Sequence, residues 1–326
     1  MISGPSLRVV SADEFARALT YQSLVEALRR AFRGDITAPA RHHHTIPRFG
    51  GDATLLLMPA WTAADYLGCK VVTVFPSNAA RGAPSLYGSY LLLSGETGEP
   101  LAIMDGRVLT AWRTAAASAL AATFLARADA SRLLMVGAGA LAPRLIAAHA
   151  AVRPIIQVTL WNRTRERADQ LALELRGNGI NITVSDDLED AVRAADIVSC
   201  ATLAHEPLVR GAWLQAGVHV DLVGGFTPLM READDESVKR ASLYVDTRAG
   251  AFGEAGDIVD PIRRGIIAQG DVRGDLFDLC GGKAKGRVSA DEITLFKSVG
   301  SAIEDLAAAK LVWQALASKE KLCNYN

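Results

Sequence analysis

Between Ser131 and Asp246 short, continuous apolar runs alternate with stretches of helical spacing. The runs are Arg132–Val136, Gln157–Trp161, Ile182–Val184, Ile197–Ala201, His219–Val223 and Leu243–Val245. Segments such as Thr164–Arg176 and Asp187–Ala194 lie between them, rich in Ala, Leu, Arg and Glu. Runs that are apolar throughout, rather than alternating, belong to strands covered on both faces. The pattern therefore predicts a parallel, doubly wound sheet with helices on either side.

The first part of the chain has another rhythm. Ser11 followed by Glu14 reads as a capping box, and Tyr21–Phe32 carries apolar residues at helical spacing. Strand-like stretches follow at Thr54–Met58, Gly68–Phe75, Ser89–Leu93 and Pro100–Met104. The last two flank Ser94-Gly95-Glu96-Thr97-Gly98, a glycine-rich hairpin turn. An alanine-rich helix over Thr110–Ala126 leads out of this α+β region. A further helix over Ala302–Ala317 has the stripe Ile303, Leu306, Ala307, Lys310, Leu311 and Trp313, and is expected to fold back on the first region. The predicted fold is α/β. A Rossmann dinucleotide-binding domain spans residues 127–301, and a second domain is made from residues 1–126 and 302–326. The charged tail, Ser318 to Asn326, is expected to be mobile.

Composition narrows the class. The 326 residues are half hydrophobic and 22% charged, and 35 Lys and Arg against 36 Asp and Glu leave a net charge of −1. That balance lacks the basic excess of a nucleic-acid partner. No apolar run is expected to be long enough to span a bilayer, and Met1–Val10 shows no signal-peptide pattern, so a cytoplasmic protein without membrane partners is expected. Cys69, Cys200, Cys280 and Cys323 are far apart and read as reduced thiols. His42, His43 and His44 are consecutive and cannot all face one way in a strand or helix. No metal site is expected, and these residues read as a loop or strand end beside an active site.

The strongest chemical motif is Gly137-Ala138-Gly139-Ala140-Leu141-Ala142, preceded by the run Leu133–Val136 and followed by helix-compatible sequence. The strand–glycine turn–helix–strand context, more than the pattern itself, points to a dinucleotide site. Gly137 allows the tight turn, Gly139 lets the backbone approach the pyrophosphate, and Ala142 allows close helix packing. The helix start offers N–H groups and partial positive charge to the phosphates. A glycine turn that binds nothing is the competing reading. After the second strand comes Asn162-Arg163-Thr164-Arg165, with Arg167 beyond and no carboxylate before Glu166. An acidic residue here would take a ribose 2′-hydroxyl, whereas Arg163 and Thr164 suit a 2′-phosphate, so NADPH is expected over NADH. The competing reading makes these arginines solvated helix-start residues. Cys200-Ala201-Thr202 and Val223-Gly224, at carboxyl ends of strands, are expected to line the nicotinamide.

Along nearly its whole length the chain resembles the ornithine cyclodeaminase/μ-crystallin family. The resemblance is carried by Pro39-Ala40-Arg41, Met58-Pro59-Ala60, Lys70-Val71-Val72, Met104-Asp105-Gly106, Arg113-Thr114-Ala115-Ala116 and Gly137–Ala142, then by Ser199–Thr202, Val223–Glu232, Gly274-Asp275-Leu276 and Thr294–Gly300. It implies a homodimer whose substrate-binding and dimerisation domain is built by both chain ends. It also implies that Arg41, Lys70 and Arg113 bind a substrate carboxylate, with Met58 nearby and Gly300 at the cofactor. Two guanidinium groups and an ammonium suit a small amino or imino acid. Lys70, in an apolar run, is the first candidate for moving a proton, and Lys70 and Arg113 are the candidate catalytic pair.

One departure bears on the reaction. Where ornithine cyclodeaminases carry an Asp that works on the substrate amine, this chain has Phe226. A phenyl ring cannot hold an ammonium but packs against an apolar imine ring. Leu229 also replaces a common Asp, for which we have no account. Within the family, Gly137–Pro143 and Trp161-Asn162-Arg163 most resemble the Δ1-pyrroline-2-carboxylate reductases. NADPH-dependent reduction of a cyclic ketimine is the leading expectation. Ornithine cyclodeamination, an alanine- or opine-type dehydrogenase, and a non-enzymatic NADPH-dependent binding protein stay open.

Overall fold

A computed structural model of the protein describes residues 7–323 apart from Gly50, Ala64 and Asn178. In chain order the elements are β1 (Arg8–Val10), α1 (Ala12–Ala18), α2 (Tyr21–Arg33), β2 (Ile36–Thr37), β3 (His42–Ile46), β4 (Ala53–Thr62), β5 (Tyr66–Val74), β6 (Leu86–Ser94), β7 (Pro100–Asp105) and α3 (Gly106–Leu125). Then come β8 (Arg132–Val136), α4 (Ala142–Ala150), β9 (Gln157–Trp161), α5 (Arg165–Glu174), β10 (Asn181–Val184), α6 (Leu188–Ala194), β11 (Ile197–Cys200) and β12 (His219–Leu222). The chain ends with α7 (Asp235–Arg240), β13 (Ser242–Val245), α8 (Arg248–Glu254), α9 (Gly256–Arg263), β14 (Val272–Asp275), α10 (Leu276–Cys280), β15 (Thr294–Lys297) and α11 (Ala302–Cys323). Two compact units result: Met1–Arg113 with Ser301–Asn326, and Thr114–Gly300. The division falls within α3, whereas the sequence pattern set the boundary at that helix's end.

In the first unit one sheet runs β1-β7-β6-β5-β4-β2, with β3 also on β4. Only β1 and β7 pair in parallel; the other pairings are antiparallel. Register places Val10, Met104, Tyr90, Lys70 and Met58 in one row across five strands. This row is buried, on the face over which α11 packs. The capping box predicted at Ser11 is present, with Glu14 closing it. The hairpin turn also forms, Ser94 N–H donating to the Glu99 carbonyl at 2.9 Å. The histidines lie within β3 and are exposed.

Three expectations need correction here. Helix α3 starts four residues earlier than read, because the Asp105 carboxylate accepts from the Arg107 and Val108 N–H groups at 2.8 and 3.1 Å and caps it. By length and composition α3 could cross a membrane, against the expectation that no such run exists; its alanines are instead mostly buried inside the protein. The tail is not a loose end as far as Cys323, since α11 continues through it; Asn324–Asn326 lie outside the described residues.

The second unit is an eight-stranded, wholly parallel sheet in the order β10-β9-β8-β11-β12-β15-β13-β14. All six predicted strands are present. β14 and β15 were not anticipated, and β15 inserts between β12 and β13. The order reverses between β8 and β11, the position at which such sheets bind ligands beyond their strand ends. Cys69, Cys200 and Cys280 are free thiols; the side chain of Cys323 lies outside the described residues.

Candidate active site

In the first unit β5 carries Lys70 inward, where 2% of it is exposed. Its Nζ sits 2.9 and 2.7 Å from the two carboxylate oxygens of Asp305 and 3.4 Å from Thr110 Oγ1. Arg113, one turn further along α3 than Thr110, donates from Nε to Asp305 Oδ1 at 3.0 Å and from a terminal nitrogen to Glu304 at 2.8 Å. Asp305 Oδ1 thus accepts from both predicted cations. Glu304 and Asp305 occupy the first turn of α11, both fully buried. Burial pushes the Lys70 ammonium down to about 8; the Arg113 and Arg41 charges push the same way, and Asp305 opposes them.

Met58 and Tyr90 flank Lys70 on the neighbouring strands. Tyr90 leans over Gly68, where an added Cβ would come within 2.2 Å of the phenol oxygen. That oxygen is buried with no hydrogen-bond partner among the described residues, and its acidity is suppressed by burial and by the Asp305 charge. Arg41, the residue before β3, is half-buried and close enough for its charge to act on Lys70. The structure therefore brings Arg41, Met58, Lys70 and Arg113 together. Sequence reasoning missed Glu304, Asp305 and Tyr90. The only signal was a pair of acids opening the last helix.

In the second unit the turn after β8 reads as expected. Gly137 has φ +103°, and a Cβ there would stand 2.7 Å from the Ala201 carbonyl oxygen. A Cβ on Gly139 would meet nothing within 4 Å, so its backbone faces open space. The Ala138 N–H donates to Asn162 Oδ1 at 3.1 Å, which ties the glycine turn to the end of β9. Leu141, at the start of α4, provides no side-chain cap. Gly137–Gly139, Trp161–Thr164, Arg167 and Ala201–Ala204 line a cavity of about 300 Å³. Ala140 lines an adjoining one, again with Arg167.

The two arginines after β9 have different partners. Arg165 pairs with Asp186 and Asp169. Arg163 lines the cavity, exposed, and makes no side-chain hydrogen bond or ion pair within the described residues. Thr164, at the start of α5, leaves its hydroxyl out of capping.

Beyond β11 and β12 the loops are fastened by one buried carboxylate. Glu232 accepts from the Thr202 N–H and hydroxyl at 2.7 and 2.8 Å, from Gly224 N–H at 2.7 Å and from Gly225 N–H at 3.3 Å. Burial pushes its carboxyl up to about 7, Asp257 adding to the rise while Lys297 and the Thr202 bonds oppose it. Cys200 and Val223 are buried beneath these loops, and burial raises the Cys200 thiol far above its ordinary range. Gly300, φ +82°, is held by its N–H bond to Asp246 at 2.7 Å. Phe226 is 52% exposed on the loop after β12. The open cradle at Gly139, Arg163 with no ion pair among the described residues, and the Thr164 hydroxyl left out of capping fit a dinucleotide.

The ornithine cyclodeaminase/mu-crystallin family pattern matches residues 7–320. A Δ1-pyrroline-2-carboxylate reductase of Paracoccus denitrificans is 40% identical over 300 residues, covering 92% of this chain and 94% of the relative. The structure of the Thermococcus litoralis Δ1-pyrroline-2-carboxylate reductase in complex with NADH and L-proline is similar, with 34% identity and a TM-score of 0.90 over 96% of this chain and 98% of the other. An archaeal alanine dehydrogenase dimer with bound NAD superposes with a TM-score of 0.88 at 30% identity, covering 96% and 97% of the two chains. With residues 7–320 matched by the family pattern, this chain belongs to the ornithine cyclodeaminase/mu-crystallin family.

Proposed function

We propose that the protein is an NADPH-dependent oxidoreductase acting on C=N bonds. Its substrate is a small cyclic imine with a single carboxylate, and the first to test is Δ1-pyrroline-2-carboxylate, which would give L-proline. The six-membered Δ1-piperideine-2-carboxylate is the close alternative. Relatives named as such reductases support the reaction class.

The observation that carries the reading is the gathering of cations around Lys70. Arg41, Lys70 and Arg113 bring three positive charges, and Glu304 and Asp305 bring two buried negative ones. Two guanidinium groups and an ammonium gathered in one place suit a monocarboxylate held by charge-assisted hydrogen bonds. Lys70 in its ammonium form holds a proton that an imine nitrogen can take up. The bound dinucleotide would supply the hydride to the imine carbon. Gly137–Leu141, Asn162, Arg163, Thr164, Arg167, the Cys200–Thr202 and Val223–Gly224 loops and Gly300 would hold it. Arg163 and Thr164 would take the 2′-phosphate, which is why NADPH is proposed ahead of NADH. Phe226 offers an apolar surface and no carboxylate, which speaks for an imine ring and against the ammonium of ornithine.

The test is loss of NADPH absorbance with enzymatically generated Δ1-pyrroline-2-carboxylate, with NADH and L-ornithine as controls. Rapid oxidation with the ketimine and no ammonia from ornithine is expected. Tight NADPH binding without oxidation by either cyclic ketimine would overturn the reading.

A homodimer belongs to the same proposal. Opposite the buried row, register lines up Val9, Ile103, Leu91, Cys69 and Pro59 on the other face of the first unit's sheet. Each is partly or largely exposed, Val9 to 72%. An apolar sheet face of this extent suits a second copy of the chain.

A further inference from the structure

The proposed reaction assigns work to Lys70 and Arg113 but none to the buried acid between them. We propose that Asp305 is a positioning residue: its carboxylate holds the Lys70 ammonium and the Arg113 guanidinium at a fixed spacing and keeps Lys70 charged for the arriving substrate. The inference rests on the imine-reductase reading and adds to it a residue on the last helix.

Asp305 Oδ1 accepts from Lys70 Nζ at 2.9 Å and from Arg113 Nε at 3.0 Å, and Oδ2 lies 2.7 Å from the same Nζ. Two cations on different elements therefore share one oxygen, so the position of that carboxylate sets the spacing between them. Glu304 engages a second nitrogen of Arg113, so the guanidinium is fixed in plane as well as in place. The three charged side chains are almost wholly buried, where an unpaired ammonium would be driven to lose its proton.

The polar and charged groups around Lys70 come from several elements. Asp305 comes from α11, Thr110 and Arg113 from α3, Arg41 from the residue before β3 and Tyr90 from β6. Of these, Asp305 is the one that favours the charged ammonium, against burial, Arg113 and Arg41. Removing its charge should let Lys70 deprotonate at lower pH. Removing the Arg113 charge should do the opposite.

The test reads Lys70 without turnover. Lysine labelled at Cε is titrated by NMR in the full-length protein, its signal assigned by loss in Lys70→Met, beside the pH profile of kcat/KM. In Asp305→Asn the Lys70 midpoint should fall by a full pH unit or more, with the basic limb of kcat/KM moving alongside. Asp305→Glu should restore much of both. Arg113→Gln, available if Asp305→Asn does not fold, should raise the midpoint. An unmoved midpoint in Asp305→Asn with activity lowered equally at every pH would make the residue merely structural and overturn the proposal. So would an unmoved midpoint in Arg113→Gln. If the midpoints move as expected in a protein that reduces no ketimine, the positioning role stands and the substrate reading fails.

Discussion

Arg163 and Arg165 are two residues apart, yet among the described residues only Arg165 is held by acids, Asp186 and Asp169. That difference is why Arg163 is the side chain proposed to meet a 2′-phosphate. In Arg163→Asp the NADPH-to-NADH ratio of kcat/KM should fall by about tenfold or more, since losing one charged hydrogen-bonding partner costs on the order of 1.5–3 kcal/mol. An unchanged ratio would remove Arg163 from the phosphate site. Lys70 lends itself to a pH test. Its ammonium, pushed down to about 8, is charged below that pH and neutral above it. kcat/KM for the ketimine should hold steady below pH 8 and drop above it, and Lys70→Arg should extend the plateau upward whatever it does to the maximum. A profile in Lys70→Arg with the same basic limb as the parent would show that another group titrates. Resemblance pointed to Lys70 and Arg113, but their acidic partners were not legible. Glu304 and Asp305 look like the ordinary preference for carboxylates at a helix start, and only the fold turns them inward beside β5.

At the scale of elements, legibility followed length and context. The strands from β8 to β13 were read to within a residue at each end, because buried parallel strands are apolar throughout. β14 and β15 were missed. Each has four residues, and Val-Arg-Gly-Asp and Thr-Leu-Phe-Lys carry charges that argue against a buried strand until their partners are seen. Lys297, fully buried on β15, lies 3.6 Å from Asp257, whose other oxygen accepts from the Glu232 and Ala233 N–H groups. The same network fastens the loops after β11 and β12, and Thr202 lines the cavity beside the glycine turn. Glu232→Gln replaces one acceptor oxygen by an amide donor and leaves a loop N–H unmatched, at a cost of about 1–3 kcal/mol. NADPH should bind more weakly by about tenfold, read by fluorescence titration. The sign with pH follows from a carboxyl pushed up to about 7: protonation below that pH removes an acceptor. Parent affinity should therefore weaken as pH falls from 8 to 6, while the Gln variant stays flat. Equal pH dependence in both proteins would exclude Glu232 as the cause.

At the scale of the whole molecule, one sheet serves two ends through the alternation of its side chains. The inward row, Met104, Tyr90, Lys70 and Met58, meets α11 and builds the charged site. The outward row, one residue out of step, carries Ile103, Leu91, Cys69 and Pro59. A slip of one residue would exchange the two rows and bury the wrong set, so the same register that places Lys70 also defines the apolar face. If that face joins two copies, each should bury about 800 Å² or more there, enough for a stable dimer. Sedimentation should then give twice the chain mass at micromolar concentration. Leu91→Asp, placing a charge at the centre of the row, should shift the protein to single chains while its circular dichroism persists. NADPH binding should survive the change, because the cavity beside the glycine turn lies wholly within Thr114–Gly300. A parent protein that sediments as one chain would refute the dimer, and a Leu91→Asp protein that stays paired would move the interface to another surface. Ketimine turnover in the separated chains tells the rest: activity retained would mean that each sheet completes its own site, whereas activity lost with NADPH still bound would mean that pairing supports the Lys70 face from behind.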